Sequence, residues 1–188
     1  MEKIIKEFNV YTITELKELF PEGYEHAIEK EQEVWSETTF YYETGEFISS
    51  IKEILAALSA NLEDWSIGIY DRSYMRIDLE GYMSLENSER NALVKQFAGM
   101  IDKERKGACS FTGVYTDCYF FDGLAAYEDS IESLNYNNFH KAIEYAVDFA
   151  VSRFQTDLES SYEDNELHEQ NLEANDCLFT EDGKPYYK

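Results

Sequence analysis

The apolar residues that follow position 138 recur at the spacing of an α-helix for about six turns. This pattern predicts one long amphipathic helix whose apolar stripe is buried against other parts of the fold. No other segment constrains the fold as strongly. The stripe contains Phe139, Ala142, Ile143, Ala146, Val147, Ala150, Val151, Phe154 and Leu158.

Three earlier segments also predict helices. One begins after Tyr11, where Thr12 and Glu15 have the spacing of a capping box, and is broken or restarted near Pro21 and Gly23. The others cover residues 46–62 and 86–105. The predicted inner faces contain Tyr24, Ala27, Ile28, Glu31, Val34 and Trp35 in the first, Phe47, Ile48, Ile51, Ile54, Leu55 and Leu58 in the second, and Leu93, Val94, Phe97, Met100 and Ile101 in the third.

Shorter segments alternate with a period of two, which predicts strands. They are residues 8–11, a strand that starts near Trp65, a second around residues 75–79 after a turn at 71–73, and a strand over 113–121. Residues 180–184 predict a hairpin or terminal turn. The expected fold is α+β, with several helices packed on a small, mostly antiparallel sheet. We expect a single domain over residues 1–188 with an acidic segment from about 159 to 188.

The charge of the chain excludes several functions. With 39 acidic and 16 basic residues the formal net charge is −23, which opposes direct binding to nucleic acids or to anionic membranes. No apolar run approaches the roughly 20 residues of a membrane-spanning helix, and the first residues lack a secretory signal. A soluble, cytoplasmic protein is expected. Cys109, Cys118 and Cys177 show no paired spacing, which favours reduced thiols.

Glutamates between residues 18 and 37 recur three or four positions apart and would form a carboxylate ridge on a helix. Like charges at this spacing destabilise a helix by roughly 0.2–0.5 kcal/mol per pair, so the ridge indicates either a solvated face or a binding surface. The ridge is Glu18, Glu22, Glu25, Glu29, Glu33 and Glu37; we predict partner contacts at Glu25, Glu29, Glu33 and Glu37.

Two further acidic segments predict partner contacts. Residues 154–183 contain ten acids and neither lysine nor arginine. Residues 107–140 also lack lysine and arginine, and they interleave acids with tyrosines, a composition that suits a protein interface. The candidates are Glu159, Glu163, Glu166 and Glu173, on one ridge if the last helix continues past Leu158, and Asp117 and Asp122 in the tyrosine-rich stretch.

No catalytic motif is found. The three histidines, His26, His140 and His168, have no local partner of a kind that would make a base or a metal ligand. His168 begins as a zinc-protease motif would, but Leu172 stands where the second histidine is needed. Phosphate-binding and nucleophile-elbow motifs are also lacking. We therefore predict no catalytic residue, cofactor or metal site, and a chain that is not an enzyme.

Residues 11–16 (YTITEL), 27–30 (AIEK) and 174–184 (ANDCLFTEDGK) resemble small acidic accessory proteins encoded by phages and mobile elements. Members of this group include antitoxin-like and anti-defence proteins. The resemblance implies a mobile-element setting and no catalytic motif. In that setting an acidic protein would block a host nuclease by occupying its DNA-binding or guide-binding groove.

The combined expectation is a non-enzymatic inhibitor, a nucleic-acid mimic that binds a basic host defence protein such as a CRISPR or restriction nuclease. Two alternatives remain open. One is an antitoxin or adaptor that binds a single protein through a tyrosine-rich surface. The other is a metal-dependent hydrolase that uses dispersed carboxylates. A homodimer is also left open, because the aromatic residues favour association while the charge opposes it.

Overall fold

A computed structural model describes residues 9–104, 116–127 and 134–186 of the chain. It is largely helical with one small antiparallel sheet, which confirms the expected α+β class. In chain order the elements are α1 (Ile13–Leu19), α2 (Pro21–Glu37), α3 (Thr39–Ala57), β1 (Asn61–Ser66), β2 (Tyr74–Asp78), α4 (Glu80–Ser84), α5 (Asn87–Glu104), α6 (Asp117–Ala126), α7 (Phe139–Glu163) and α8 (Asn165–Ala174).

The chain packs as two compact units. One consists of the described parts of Met1–Tyr41 and Ser160–Lys188, and the other of Tyr42–Glu159. The acidic C-terminal segment thus joins the N-terminal helices in the first unit. The expectation of a single domain over residues 1–188 stays a prediction.

The first unit begins with the predicted capping box. The Thr12 hydroxyl accepts a hydrogen bond from the Glu15 backbone N–H, and the Glu15 carboxylate accepts one from the Thr12 N–H, as the spacing predicts. Phe20 ends α1, and Pro21 is the first residue of α2. Proline suits this position because the first N–H of a helix has no intrahelical acceptor. The apolar core of this unit is Ile13, Leu16, Ala27, Ile28, Leu172 and Phe179.

The strand expected over residues 8–11 is not formed where the structure describes it. Tyr11 makes only an isolated antiparallel bridge with Phe179, through two N–H···O bonds of 2.9 Å, and Phe8 lies outside the described residues. The turn predicted at 180–184 is present, with Gly183 at a φ of +76°. This turn packs so closely on α2 that a Cβ on Gly23 would lie 2.2 Å from the Glu181 carbonyl oxygen.

The core of the second unit is aromatic. Phe47 of α3 stacks on Phe154 of α7 with 4.2 Å between ring centres, and Phe97 of α5 lies 6.1 Å from Phe121 of α6. All nine residues of the apolar stripe predicted for α7, from Phe139 to Leu158, are buried, which confirms that prediction. The inner faces predicted for α3 and α5 are also correct, apart from half-buried Leu93 and Met100.

The sheet contains two strands, β1 and β2, which pair antiparallel as predicted, with Trp65 opposite Met75. The predicted start near Trp65 is wrong, because β1 begins at Asn61 and ends at Ser66. A register shift lies between Leu62 and Asp64. On β2 the alternation holds for Met75, which is buried, and Arg76, which is exposed.

The strand predicted for residues 113–121 is wrong over its described part. Residues from Asp117 onward form helix α6, and residues 113–115 lie outside the described part. Residues 118–121 are apolar or aromatic at every position. Such a short run suits a buried helix as well as a strand, so periodicity could not distinguish them. Packing decides the outcome: a Cβ on Gly123 of α6 would lie 2.8 Å from the Ala146 Cα of α7, an approach that only glycine allows.

Candidate partner-binding surface

Helix α2 carries the four glutamates that the sequence singled out, and all four are exposed. Its opposite face is fixed by buried Ala27, Ile28 and Trp35, although Val34, predicted to face inward, is half exposed. Because each step of four residues turns a helix by about 40°, the side chains from Glu25 to Glu37 wind through about 120° over about 18 Å. They form a slightly spiral ridge.

Little positive charge faces this ridge. Lys30 Nζ lies 2.6 Å from Glu33 Oε2, and both side chains are more than half exposed, so the pair contributes little. Within the described ranges, Glu25, Glu29 and Glu37 have no ion-pair partner. The ridge therefore presents most of its charge to solvent.

A groove of about 220 Å³ adjoins the N-terminal half of this ridge. The Gln32 side-chain nitrogen donates to the Tyr162 carbonyl oxygen at 3.1 Å and lies 3.5 Å from Asn165 Oδ1. This amide thus links α2 to the end of α7 and the start of α8. The groove is lined by Tyr24, Glu25, Ile28, Glu29, Gln32 and Asn165.

The second predicted ridge is not a single ridge, because the helix expected to continue past Leu158 ends at Glu163. Asp164 then caps α8, and its side chain accepts a hydrogen bond from the Leu167 N–H at 3.1 Å. Glu163 and Glu166 are exposed. Glu173 instead accepts a hydrogen bond from the Thr14 hydroxyl at 2.5 Å, and half-buried Glu159 accepts one from Gln155 at 2.8 Å.

The two aspartates of the tyrosine-rich stretch lie in different environments. Asp117 is fully buried at the start of α6 and accepts a hydrogen bond from the Ser50 hydroxyl of α3, so it is not part of a surface. Asp122 is exposed on the same helix. Glu128, Asp129 and Glu132, which share this stretch, lie outside the described residues.

No sequence motif pointed to Glu169, an acid of the first unit that meets donors from two helices. Its carboxylate accepts hydrogen bonds from the Lys17 ammonium at 2.5 Å and from the Tyr24 hydroxyl. Burial disfavours its ionisation, but these two donors outweigh burial and hold the pKa of Glu169 below its usual value. Burial, with the bond to Glu169, raises the pKa of Tyr24. No sequence signal links positions 17, 24 and 169.

The histidines differ in their surroundings. His26 Nδ1 lies 2.8 Å from the Asp182 carbonyl oxygen, and His140 is half buried. His168 is completely buried with Nε2 3.0 Å from the Tyr162 carbonyl oxygen, and its Nδ1 has no hydrogen-bond partner among the described residues. In the same part of the chain, no three histidine, cysteine or acidic side chains are arranged to hold a metal ion.

The cysteines form no disulfide where the structure describes them. Cys118 and Cys177 are half buried, and Cys109 lies outside the described residues. Burial, followed by the nearby carboxylates of Glu31 and Asp176, raises the pKa of the Cys177 thiol. A thiol with a raised pKa is a poor nucleophile at neutral pH.

Comparison of the chain with protein-family models, curated proteins and solved structures gives no match. The resemblance to phage and mobile-element proteins therefore stays an expectation. None of the helices in the described ranges has an apolar stretch long enough to cross a membrane.

Proposed function

We propose that this chain is a non-enzymatic acidic inhibitor that binds the nucleic-acid-binding groove of a basic protein, with the α2 glutamates in place of phosphates. The observation that carries the proposal is the outer face of α2. There Glu25, Glu29, Glu33 and Glu37 are exposed together, and only Glu33 has a basic partner among the described residues.

The dimensions of the ridge suit this role. A duplex carries one charge per about 1.7 Å of its axis. A length of duplex equal to the ridge, about 18 Å, therefore carries roughly ten phosphate charges. Four carboxylates are a sparser array. The backbone that carries them is nevertheless fixed, because α2 is anchored through Ala27, Ile28 and Trp35.

The charge of the whole chain supports the same proposal. A formal charge of −23 would steer the protein toward a basic groove and speed the encounter, and this attraction is screened beyond about 8 Å at physiological salt. Binding to the target should therefore weaken as salt rises. The resemblance at both ends of the chain favours a host CRISPR or restriction nuclease as the target.

Charge reversal on the ridge tests the proposal. Proteins retained from host lysate at low and high salt would be identified by mass spectrometry, and the captured nucleic-acid-binding protein would be titrated against the wild type and against a Glu25→Lys, Glu29→Lys, Glu33→Lys, Glu37→Lys variant. The reversed variant should bind at least about a hundredfold more weakly, since it replaces attraction by repulsion in the groove. It should also fail to compete with duplex DNA.

A matched control separates the ridge from the overall charge. Glu53, Glu63, Glu144 and Asp148 are exposed on the second unit, and changing these four residues to lysine alters the net charge by the same amount. This control should lose much less affinity than the ridge variant. Equal losses would show that net charge alone drives binding, and unchanged affinity in the ridge variant would remove α2 from the mechanism.

A second candidate function is that of an adaptor or antitoxin that binds one protein through an aromatic surface. It is favoured by the β1–β2 hairpin, where Trp65, Tyr70 and Tyr74 are 43%, 65% and 39% exposed. Aromatic side chains contribute most to many protein interfaces. A partner that high salt does not release, and that is lost on Trp65→Ala with Tyr70→Ala but not on ridge reversal, would support this function instead.

A further inference from the structure

The groove beside α2 is too small for most ligands. Its volume of about 220 Å³ lies below the roughly 300 Å³ at which small-molecule sites begin. It can accept one side chain of a partner, whereas a helix or a strand would have to lie across its rim. Its occupant is therefore set by the chemistry of the lining residues.

One wall of the groove is held in place by hydrogen bonds. The Tyr24 hydroxyl donates to Glu169, which also binds Lys17, and the Lys17 ammonium lies 5.2 Å from the centre of the Tyr24 ring. The ring is thus fixed by its hydroxyl. Ile28, only 4% exposed, supplies an apolar contact next to it. Together these side chains suit the apolar stem of a long side chain.

The polar atoms of the groove are mainly acceptors. Because the Gln32 nitrogen donates to Tyr162, its carbonyl oxygen is left for another donor. Glu25 and Glu29 add two exposed carboxylates. The N-terminus of α8 would repel a cation, but the Asp164 carboxylate caps it and offsets that charge.

We propose that this groove receives one arginine side chain of a basic partner, with Glu25 and Glu29 binding the guanidinium. Arginine fits better than lysine, because its planar cation donates in a fork that matches carboxylates and is more weakly hydrated than an ammonium. The inference rests on the proposed function and deepens it: α2 is selective for arginine along one half and responds to charge alone along the other.

Calorimetry with an oligoarginine peptide and an oligolysine peptide of equal length tests the inference at low salt. The wild type should bind oligoarginine about threefold to tenfold more tightly than oligolysine. Glu25→Gln with Glu29→Gln should abolish this preference. Glu33→Gln with Glu37→Gln removes the same charge from the same helix outside the groove, so it should weaken both peptides equally and keep the preference.

A second variant tests the groove without changing any charge. Asn165 is exposed on the groove wall, so Asn165→Trp should fill the space and remove the arginine preference. The control is Gln170→Trp, at an exposed position of α8 that does not line the groove. This control should retain the arginine preference. Equal binding of the two peptides by the wild type overturns the groove proposal and leaves the charged ridge intact. Binding of neither peptide overturns both the groove and the ridge.

Discussion

Helices α2 and α8 both carry regularly spaced acids, yet the two helices use them differently. The ridge glutamates of α2 face solvent. On α8, by contrast, Glu169 and Glu173 accept hydrogen bonds from Lys17, Tyr24 and Thr14 of the N-terminal helices. What separates the two sets is whether donors of a neighbouring helix face them.

This difference has energetic consequences. Glu169 offsets its charge against Lys17, and Glu173 accepts a bond from Thr14, so these two acids help to fasten α8 to α1 and α2. The ridge of α2 retains like-charge repulsion of roughly 0.2–0.5 kcal/mol per neighbouring pair. The basic groove of the proposed partner would offset this repulsion.

The largest effect should come from the apolar anchor of α8. Leu172 is 6% exposed in the core of the first unit, so Leu172→Ala should lower the free energy of unfolding by about 2–5 kcal/mol. Urea unfolding followed by the fluorescence of buried Trp35, in a Trp65→Phe background, would report on this unit. Gln170→Ala, at an exposed position of α8, is the control. Equal losses of stability in the two variants would show that the buried face of α8 does not anchor this helix.

The next largest loss of stability should come from the close contact between α2 and the turn at residues 180–184. Gly23→Ala would place a methyl group 2.2 Å from the Glu181 carbonyl oxygen, so either α2 or the turn must move, at a cost of about 1–3 kcal/mol. A methyl group added at Gly45 of α3 would meet no such obstacle, since the described residues place nothing within 4 Å of it. Gly45→Ala should therefore stabilise the chain by up to about 1 kcal/mol. Thermal unfolding of the two variants should shift in opposite directions.

The comparison between the two acidic helices can be tested directly by neutralising one acid on each. Glu169→Gln weakens the bonds from Lys17 and Tyr24 and should cost about 1–2 kcal/mol. Glu29→Gln should change stability by less than about 0.5 kcal/mol, since it only relieves repulsion. Urea midpoints measured at neutral pH would give both values. A larger cost at Glu29 would contradict the assignment of the ridge to an external partner.

The smallest effect should be a change of folding stability with pH, with opposite signs at Glu169 and Glu31. The pKa of Glu169 is lower in the folded chain than its ordinary value of 4.5, so its contribution is present above about pH 4.5 and is lost as pH falls through the lowered value. Burial raises the pKa of Glu31, against the opposing effect of His168, so ionised Glu31 destabilises the fold above its ordinary pKa.

Stability curves of Glu169→Gln and Glu31→Gln against pH would check these signs. The difference from wild type should shrink toward acid pH for Glu169→Gln. Glu31→Gln should be more stable than wild type at neutral pH and equal to it in acid. A Glu169→Gln difference that stays constant down to about pH 3, below the ordinary carboxylate range, would show that the lost bonds do not depend on the charge of this carboxylate.

Much of the fold follows from local patterns. The capping box of Thr12 and Glu15, the break at Pro21 and the stripe of α7 are each set by residues close in sequence, so the sequence predicts them correctly. The ridge is predicted for the same reason, since it depends only on the period of one helix. Whether a given acid faces a donor depends on residues far away in the chain, as the pairs of Lys17 with Glu169 and Thr14 with Glu173 demonstrate.

The sequence by itself determined the helical periodicity, the strongly acidic charge and the position of the α2 glutamates opposite its packed face, because these properties depend on residue type and short-range spacing. Tertiary structure decided that residues 117–126 form a helix and that Asp117 is buried against Ser50. Both outcomes depend on contacts between distant segments, and helical spacing contains no information about such contacts.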